Sequence, residues 1–448
     1  MLNSEGAKRF LGEKIFNQAL NYLEKDPVNN LDKIFDLLTK APLAPRHRQQ
    51  IKGVKVAFNN NPAIKEYVER IFNNIDMEVA KVLAMNFFIN ATFIGVPKQM
   101  QLSEKLGYSV PFAFLIDPTS KCNLNCEGCW AGKYEDHNSL SFEDVDRLIT
   151  EGKELGMYFV AMSGGEPFLW PHLFELCEKH NDVAFMLYTN GTIIDKDIAK
   201  KMKEVKNISP AISIEGDRET TDNRRGKGTY DKIMIAMDNL KEVGVPFGFS
   251  VTVTRQNCEE VFSDKFVDTM IEKGAVYGWS FHYIPIGSDP DFSRMITPEQ
   301  RRKLVDRVNQ IRNEKPIQIA DFWNDGHITG GCIAGARRYF HITASGHVEP
   351  CAFVHFYKDT IEGKSLKEIL QSPIFSAYQK RQPFSENLYR PCPLIDAPHA
   401  LKEIVEESDA IPTHEGADAV LKGEEAKKME EIAAAWEREA EKIKESIE

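Results

Sequence analysis

Apolar residues recur every three or four positions through the first quarter of the chain. NQALNYLEKD (17–26), LDKIFDLLTKA (31–41) and AIKEYVERIFNNIDMEVAKVLAMNFFI (63–89) each show this spacing, which predicts amphipathic helices. Pro42, Pro45 and Pro62 punctuate them. From about residue 111 the rhythm changes to short apolar runs alternating with amphipathic segments. FAFLID, YFVAMSGGEP, AFMLYTNGT, SPAISIEG, PFGFSVTVT and WSFHYIPIG read as strands. Helices follow from SFEDVDRLITEGKELG (opened by Ser141), LFELCEKH, IDKDIAKKMKEV, TYDKIMIAMDNLKEVG and FVDTMIEKG. Strand–helix alternation of this kind predicts parallel strands with right-handed crossovers. Six such units are counted, short of the eight that close a full barrel, with ligands expected at the carboxyl ends of the strands.

After Pro316 the alternation breaks. GCIAGARRYFHITASGHVEPCAFV (331–354) reads as a hairpin pinned by Ala344-Ser345-Gly346, and from about 401 the chain turns polar. Its end, EEAKKMEEIAAAWEREAEKIKESIE, pairs Glu and Lys at i,i+4 and reads as a solvated helix without chemistry of its own. The expected fold class is α/β: a partial (β/α)6 barrel with an N-terminal helical domain and a small C-terminal auxiliary domain. The expected boundaries are 1–110, 111–320, 321–400 and 401–448.

Composition narrows the class of protein. A chain of 448 residues with 42% hydrophobic and 27% charged residues is ordinary for a globular enzyme of several domains. Its formal net charge of −11 argues against broad nucleic-acid binding, which needs an excess of Lys and Arg. The opening MLNSEGAKRFLGEKIF lacks the pattern of a secretory signal. No run reaches the 18 apolar residues of a spanning helix; the nearest, Val82–Val96, is interrupted by Asn86, Asn90 and Thr92. A cytoplasmic location follows as the expectation, with membrane association as its alternative.

The eight cysteines lie at 122, 126, 129, 177, 258, 332, 351 and 392, a distribution unlike a secreted disulfide framework. Cys177 is expected to be a small core residue, and Cys258 carries no functional signal. Cys122, Cys126 and Cys129, in SKCNLNCEGCWAG, form a C-x3-C-x2-C loop. Three soft thiolates suit three corners of a cubane iron–sulfur cluster, leaving one iron open. The alternative is a zinc site with a distant fourth ligand such as His137.

The order of motifs behind this loop resembles that of the radical S-adenosylmethionine (radical SAM) enzymes. Ser163-Gly164-Gly165-Glu166-Pro167 follows the second strand and matches the family's GGEP segment. Thr189-Asn190-Gly191 follows the third strand and Ser213-Ile214-Glu215-Gly216 the fourth. Arg225-Gly226, with Arg224 as a rival arginine, and Thr229-Tyr230-Asp231 come next. This resemblance spans about residues 111–287. It implies a 4Fe–4S cluster on Cys122, Cys126 and Cys129, whose open iron chelates S-adenosylmethionine. It implies cofactor contacts from Gly164, Gly165, Glu166, Asn190, Ser213, Glu215 and Arg225, with Glu166 facing the methionine ammonium. The chemistry implied is reductive cleavage to a 5′-deoxyadenosyl radical that takes hydrogen from an unactivated carbon.

Cys332, the Gly346-x4-Cys351 pair and Cys392 are similar to the SPASM/twitch auxiliary regions of the same superfamily. A full SPASM region has about seven cysteines; with three, one auxiliary 4Fe–4S cluster on Cys332, Cys351 and Cys392 is implied. His341, His347, His355 and Asp396 are neighbours in sequence without a distinguishing spacing for its fourth position. Asp289-Pro290-Asp291 and Trp279-x-Phe-His-Tyr283 are expected near the open end of the barrel, as substrate contacts or as loop and core groups. Partners expected are a reductant such as flavodoxin or ferredoxin, and as substrate a peptide or protein side chain. The alternative substrate is a lipid or isoprenoid chain, motivated by the apolar segment around Met85–Val96. A non-catalytic iron–sulfur or zinc protein leaves the strand-end motifs without a purpose.

Overall fold

The computed structural model describes residues 4–40, 45–132 and 138–447; His137 lies outside them. A ten-stranded sheet organises the chain. Its strands in chain order are β1 (Ala113–Ile116), β2 (Phe159–Met162), β3 (Ala184–Thr189), β4 (Ile208–Ser213), β5 (Gly248–Val253) and β6 (Tyr277–His282). They continue as β7 (Gln318–Asp321), β8 (His341–Ile342), β9 (His347–Glu349) and, after the two-residue β10 (Phe356–Tyr357), β11 (Asp359–Thr360). β1 to β7 pair in sequence order, all parallel, and β8 adds in parallel to the free side of β1. β9 and β11 extend that edge antiparallel, while β10 pairs separately with β12 (Ile411–Pro412).

The parallel run is therefore longer than the six strands counted from sequence. β7 comes right after Pro316, where the apolar rhythm thins, and β8 belongs to the hairpin. That hairpin forms as expected around Gly346, whose φ of +77° is one that side chains with a Cβ rarely adopt. It is continuous with the barrel sheet.

Near-continuous burial of β1, β3 and β5 reflects a parallel sheet covered by helices. The helices dock through apolar stripes: Val145, Leu148 and Ile149 of Phe142–Glu154, and Ala199, Met202 and Val205 of Lys196–Val205, are buried. Ser141 caps the first of these by accepting from the Asp144 N–H, as its sequence suggests.

The N-terminal segment is helical throughout its described part. Its last three elements, Met77–Ala84, Met85–Gly95 and Val96–Leu106, run on as one helix of 30 residues. The middle element has i→i+5 hydrogen bonding. This one helix is long and apolar enough to cross a membrane by length and composition, which corrects the expectation drawn from Val82–Val96. The asparagines that seemed to interrupt it are its docking side. Asn86 Nδ2 donates to the carbonyls of Asn181 (2.9 Å) and Val183 (3.1 Å), Asn90 Nδ2 to that of Asp182 (3.0 Å), and Gln99 Nε2 to that of Gly156 (2.7 Å). Gly95 and Gly156 bring the two backbones together, since a methyl at Gly95 would overlap the Gly156 carbonyl.

The final helix, Gly423–Ile447, is also more than a solvated tail. Met429, Trp436, Ala440 and Ile443 are buried. The Trp436 indole N–H donates to the Tyr389 carbonyl (2.9 Å), and the Arg301 guanidinium sits 4.0 Å over its ring.

Candidate active site

The cysteine loop leaves β1 and lies across the carboxyl ends of the neighbouring strands. Gly165 N–H donates to the Thr119 carbonyl (2.9 Å) and Glu166 N–H to that of Lys121 (2.8 Å). A methyl on Gly165 would collide with the Lys121 carbonyl, and one on Gly164, whose φ is +98°, with the Thr119 carbonyl. The two glycines thus let the strand-end turn and the cysteine loop pack backbone to backbone. On its far side the loop is held by Tyr283, whose ring fills the space over Gly128, and by Ser288 N–H donating to the Cys129 carbonyl (3.0 Å).

Glu166 is fully buried, and its carboxylate is turned toward β3. It accepts from Thr189 Oγ1 (2.7 Å), the Asn190 N–H (2.8 Å) and the Phe168 N–H (3.2 Å). Burial outweighs these donors and lifts its pKa to about 7. Asn190 reaches the loop: its Nδ2 donates to Asn123 Oδ1 (2.8 Å) and lies 3.8 Å from the Cys122 sulfur.

Glu215, also fully buried, acts on its neighbours. It accepts from Arg224 Nη1 (2.6 Å), Arg225 Nε (2.7 Å) and the Thr252 N–H (3.1 Å). One carboxylate thereby orients both arginines, so the rivalry between Arg224 and Arg225 dissolves. Arg225 Nη1 is 3.9 Å from the Cys126 sulfur, and Arg224 Nη2 donates to the Gly128 carbonyl (3.4 Å). Burial raises the Cys129 thiol, and the charges of Arg224 and Arg225 oppose that rise. Ser213 Oγ pairs with Ser250 Oγ at 3.2 Å.

A cavity of about 440 Å³ gathers these groups. Cys122, Cys126, Cys129, Gly164, Gly165, Asn190, Ser213, Arg224 and Arg225 line it; Glu166 and Glu215 stand behind that surface. Much of the remaining wall is aromatic: Trp130, Tyr188, Trp279, Phe281, Phe322, Tyr339 and Phe353. Of the stretches near the barrel mouth, Trp279, Phe281 and His282 face the cavity, Tyr283 packs under the loop, and Asp291 caps a short 3-10 turn. Ser250, Thr252, Phe322 and Tyr339 were not singled out from sequence. Alternation along β5 signalled an inward face at the first two, but not what they would meet.

The second trio also comes together. Cys332, Cys351 and Cys392 line a smaller cavity of about 150 Å³. Burial pushes all three thiols up, Cys351 to about 12. The Tyr339 hydroxyl lies 2.8 Å from the Cys351 sulfur and that of Tyr378 3.5 Å from Cys332. None of the four neighbours considered for a fourth position faces this cavity. His341 bridges two carboxylates, Asp117 Oδ2 (2.9 Å) and Glu349 Oε2 (2.7 Å). His355 pairs with His414, His347 stacks on Tyr357, and Asp396 is salt-bridged to Arg301.

Both trios fit iron–sulfur clusters in donor type: soft sulfur ligands, the first trio opening on the cavity with Cys122 exposed and the second set deeper with Cys351 buried. Among the described residues no three His, Cys, Asp or Glu stand close enough to hold a single metal ion. A trio set around a cubane is held wider than one around a single ion.

A partial barrel with three thiols at its carboxyl end, facing a strand-end glycine pair, defines a radical SAM domain. Residues 116–263 match the Radical SAM superfamily, and that part of the chain is a radical SAM domain, of the kind that uses a 4Fe–4S cluster and S-adenosylmethionine. Among curated relatives it is 36% identical over 224 residues to the Fe-coproporphyrin III synthase of Methanosarcina barkeri, covering 47% of this chain and 55% of the relative. It is 29% identical over 260 residues to the mycofactocin maturase MftC of Mycolicibacterium smegmatis, covering 56% and 64%. Each match spans less than two thirds of the relative's length. Among solved structures, Streptococcus suis SuiB bound to its precursor peptide SuiA superposes with a TM-score of 0.53 at 19% identity, covering 64% of this chain and 71% of that one.

Proposed function

We propose that this enzyme abstracts hydrogen from an unactivated C–H of a substrate whose reacting segment is apolar. The observation that carries this reading is the single cavity in which three thiols and the strand-end polar groups face an aromatic wall. When bound, the reduced cluster and S-adenosylmethionine supply the 5′-deoxyadenosyl radical. The chain's own residues do the rest. Glu215 fixes Arg224 and Arg225 beside the thiols, Asn190 steadies the loop through Asn123, and Ser213, Ser250 and Thr252 offer hydroxyls toward the cofactor end. The aromatic wall encloses the reacting end and holds the target carbon away from solvent and from other hydrogen donors. The thiols of Cys332, Cys351 and Cys392 would hold an auxiliary cluster. Tyr339 links the two sites, since it lines the main cavity and touches the Cys351 sulfur. The electron comes from a flavodoxin- or ferredoxin-type donor.

A peptide or protein side chain is the substrate supported by the relative named a maturase and by the fold shared with the peptide-bound SuiB. A hydrocarbon chain is supported by the cavity wall. The relative named for Fe-coproporphyrin III synthesis shows that likeness over this domain does not choose among substrates. The test is anaerobic reconstitution with iron and sulfide, followed by dithionite and S-adenosylmethionine. 5′-Deoxyadenosine should form in the parent and not in Cys126→Ala, while Cys351→Ala should retain uncoupled cleavage. Full cleavage by Cys126→Ala would refute the assignment.

A further inference from the structure

The main cavity does not stop at the thiols. It follows the strands down the barrel, past Leu115, Ala161 and Met186, to Phe112 and Phe159 at the amino ends of β1 and β2. From Phe159 to Gly165 is six residues of strand and turn, about 20 Å at ~3.3 Å per residue. At the lower end the wall is completed by Phe87 of the helix Met77–Leu106. Its ring is 6.0 Å from Phe112 and 5.6 Å from Phe159, and 5.3 Å from Phe88, which is 6.5 Å from Phe16. An unbroken aromatic path thus leads from inside the barrel to the surface of that helix.

The surface it reaches is apolar. Phe88 is 55% exposed, Phe93 64% and Met100 67%. From Val82 to Ser103 the only charged residue is Lys98. The opposite side of the helix is fastened to the barrel through Asn86, Asn90 and Gln99, so the helix is set to lie along an interface with its apolar side outward. Charge points the same way. Residues 1–106 carry 15 Lys and Arg against 11 Asp and Glu, a formal +4, whereas the remainder carries 41 against 56, a formal −15. The helix Pro45–Asn60 holds four Lys and Arg with no acid, and exposes Val54 and Val56. A net-cationic N-terminal segment that bears this apolar face, on an otherwise anionic chain, matches an anionic bilayer surface.

We propose that the outward face of Met77–Leu106 rests on an anionic membrane and that the barrel cavity takes the hydrocarbon chain of a membrane lipid through its lower mouth. The chain's far end would then lie beside Gly165 and Cys122, so the inference rests on the reading of that end as the site of hydrogen abstraction. Phe87, Phe112 and Phe159 form the gate, and the aromatic wall grips the chain without hydrogen bonds, as suits a methylene run.

The test uses the full, anaerobically reconstituted protein and two vesicle types, phosphatidylcholine alone and phosphatidylcholine with phosphatidylglycerol. Binding is read by co-sedimentation, and channel occupancy by quenching of tryptophan fluorescence with phospholipid brominated on the acyl chain. Trp130 and Trp279 line the cavity and are the fluorophores within reach. The expected result is binding that strengthens with phosphatidylglycerol, weakens with salt, and is accompanied by quenching. Phe88→Glu and Phe93→Glu, both at exposed positions, should each weaken it by about tenfold or more, since a buried phenyl ring is lost and a charge added. Ala161→Phe, which fills the channel, should abolish quenching and leave sedimentation intact, with circular dichroism confirming its fold. No vesicle binding, or binding without quenching, overturns the proposal. So does binding indifferent to Phe93→Glu, or self-association through this face in place of vesicle binding. None of these readouts needs turnover, so they fail independently of 5′-deoxyadenosine formation without lipid, which tests the thiol site.

Discussion

The ionic bridge between barrel and hairpin makes a pH prediction whose size follows from the geometry. His341 on β8 is fully buried between Asp117, just past β1, and Glu349 on β9. Burial by itself would push the imidazole down. Asp117 and Glu349 outweigh it and raise the pKa to about 10, against about 6.5 in an unfolded chain. The folded state therefore binds this proton more tightly. Its contribution is complete below about pH 6.5 and disappears as pH rises through about 10. Holding the proton up to about pH 10 in place of about 6.5 is worth about 5 kcal/mol, and about 3–4 kcal/mol of it should vanish between pH 7 and pH 10. The perturbation is His341→Gln, which keeps a donor but cannot carry the charge. Urea unfolding of both proteins across that range isolates the term, because thiols, lysines and tyrosines titrate in each. The parent should lead His341→Gln by several kcal/mol at pH 7, and the gap should close toward pH 10. A gap that stays constant or widens with pH would refute a protonated His341 as the link.

Four further substitutions make independent predictions. Gly165→Ala places a methyl against the Lys121 carbonyl and should cost about 1–3 kcal/mol, with a large loss of iron bound at the first site and little at the second. Glu215→Gln removes the shared carboxylate of Arg224 and Arg225 and should cost about 3–5 kcal/mol together with S-adenosylmethionine binding by calorimetry; Arg224→Lys should be milder in both. Trp436→Ala should lower unfolding stability by about 3–5 kcal/mol and speed hydrogen exchange in the last helix, whereas a solvated helix would lose almost nothing.

How much of this could be read in the sequence depends on the range of the interaction. Thiol spacing, glycine turns and strand–helix alternation are local, and they located both cysteine trios and the partial barrel. Partner choice is not local. Alternation along β4 puts Ser213 and Glu215 on the same side, yet Ser213 meets the cavity while Glu215, beyond the strand end, turns to Arg224 and Arg225. No periodicity distinguishes those fates. Nor does a Glu- and Lys-rich helix announce that Trp436 and Ala440 will bury against Pro298–Glu314, because the signal is carried by a few large residues among many charges.

The helix Met77–Leu106 shows a more general reason for misreading. Patterning rules take polar residues as the solvent face and apolar ones as the core face. Here the polar residues Asn86, Asn90 and Gln99 face the protein, where they donate to carbonyls of the loops at the amino ends of strands β2 and β3. The apolar residues Phe88, Phe93 and Met100 face outward. Such inversion is stable in water only at a cost, since each exposed ring forgoes the ~1.5–3 kcal/mol of burial available to it. An exposed apolar face on a folded protein marks an interaction site when it is contiguous. In this chain the face is joined through Phe87 to the cavity holding the thiols, so the inverted pattern and the aromatic barrel interior are two ends of one apolar path.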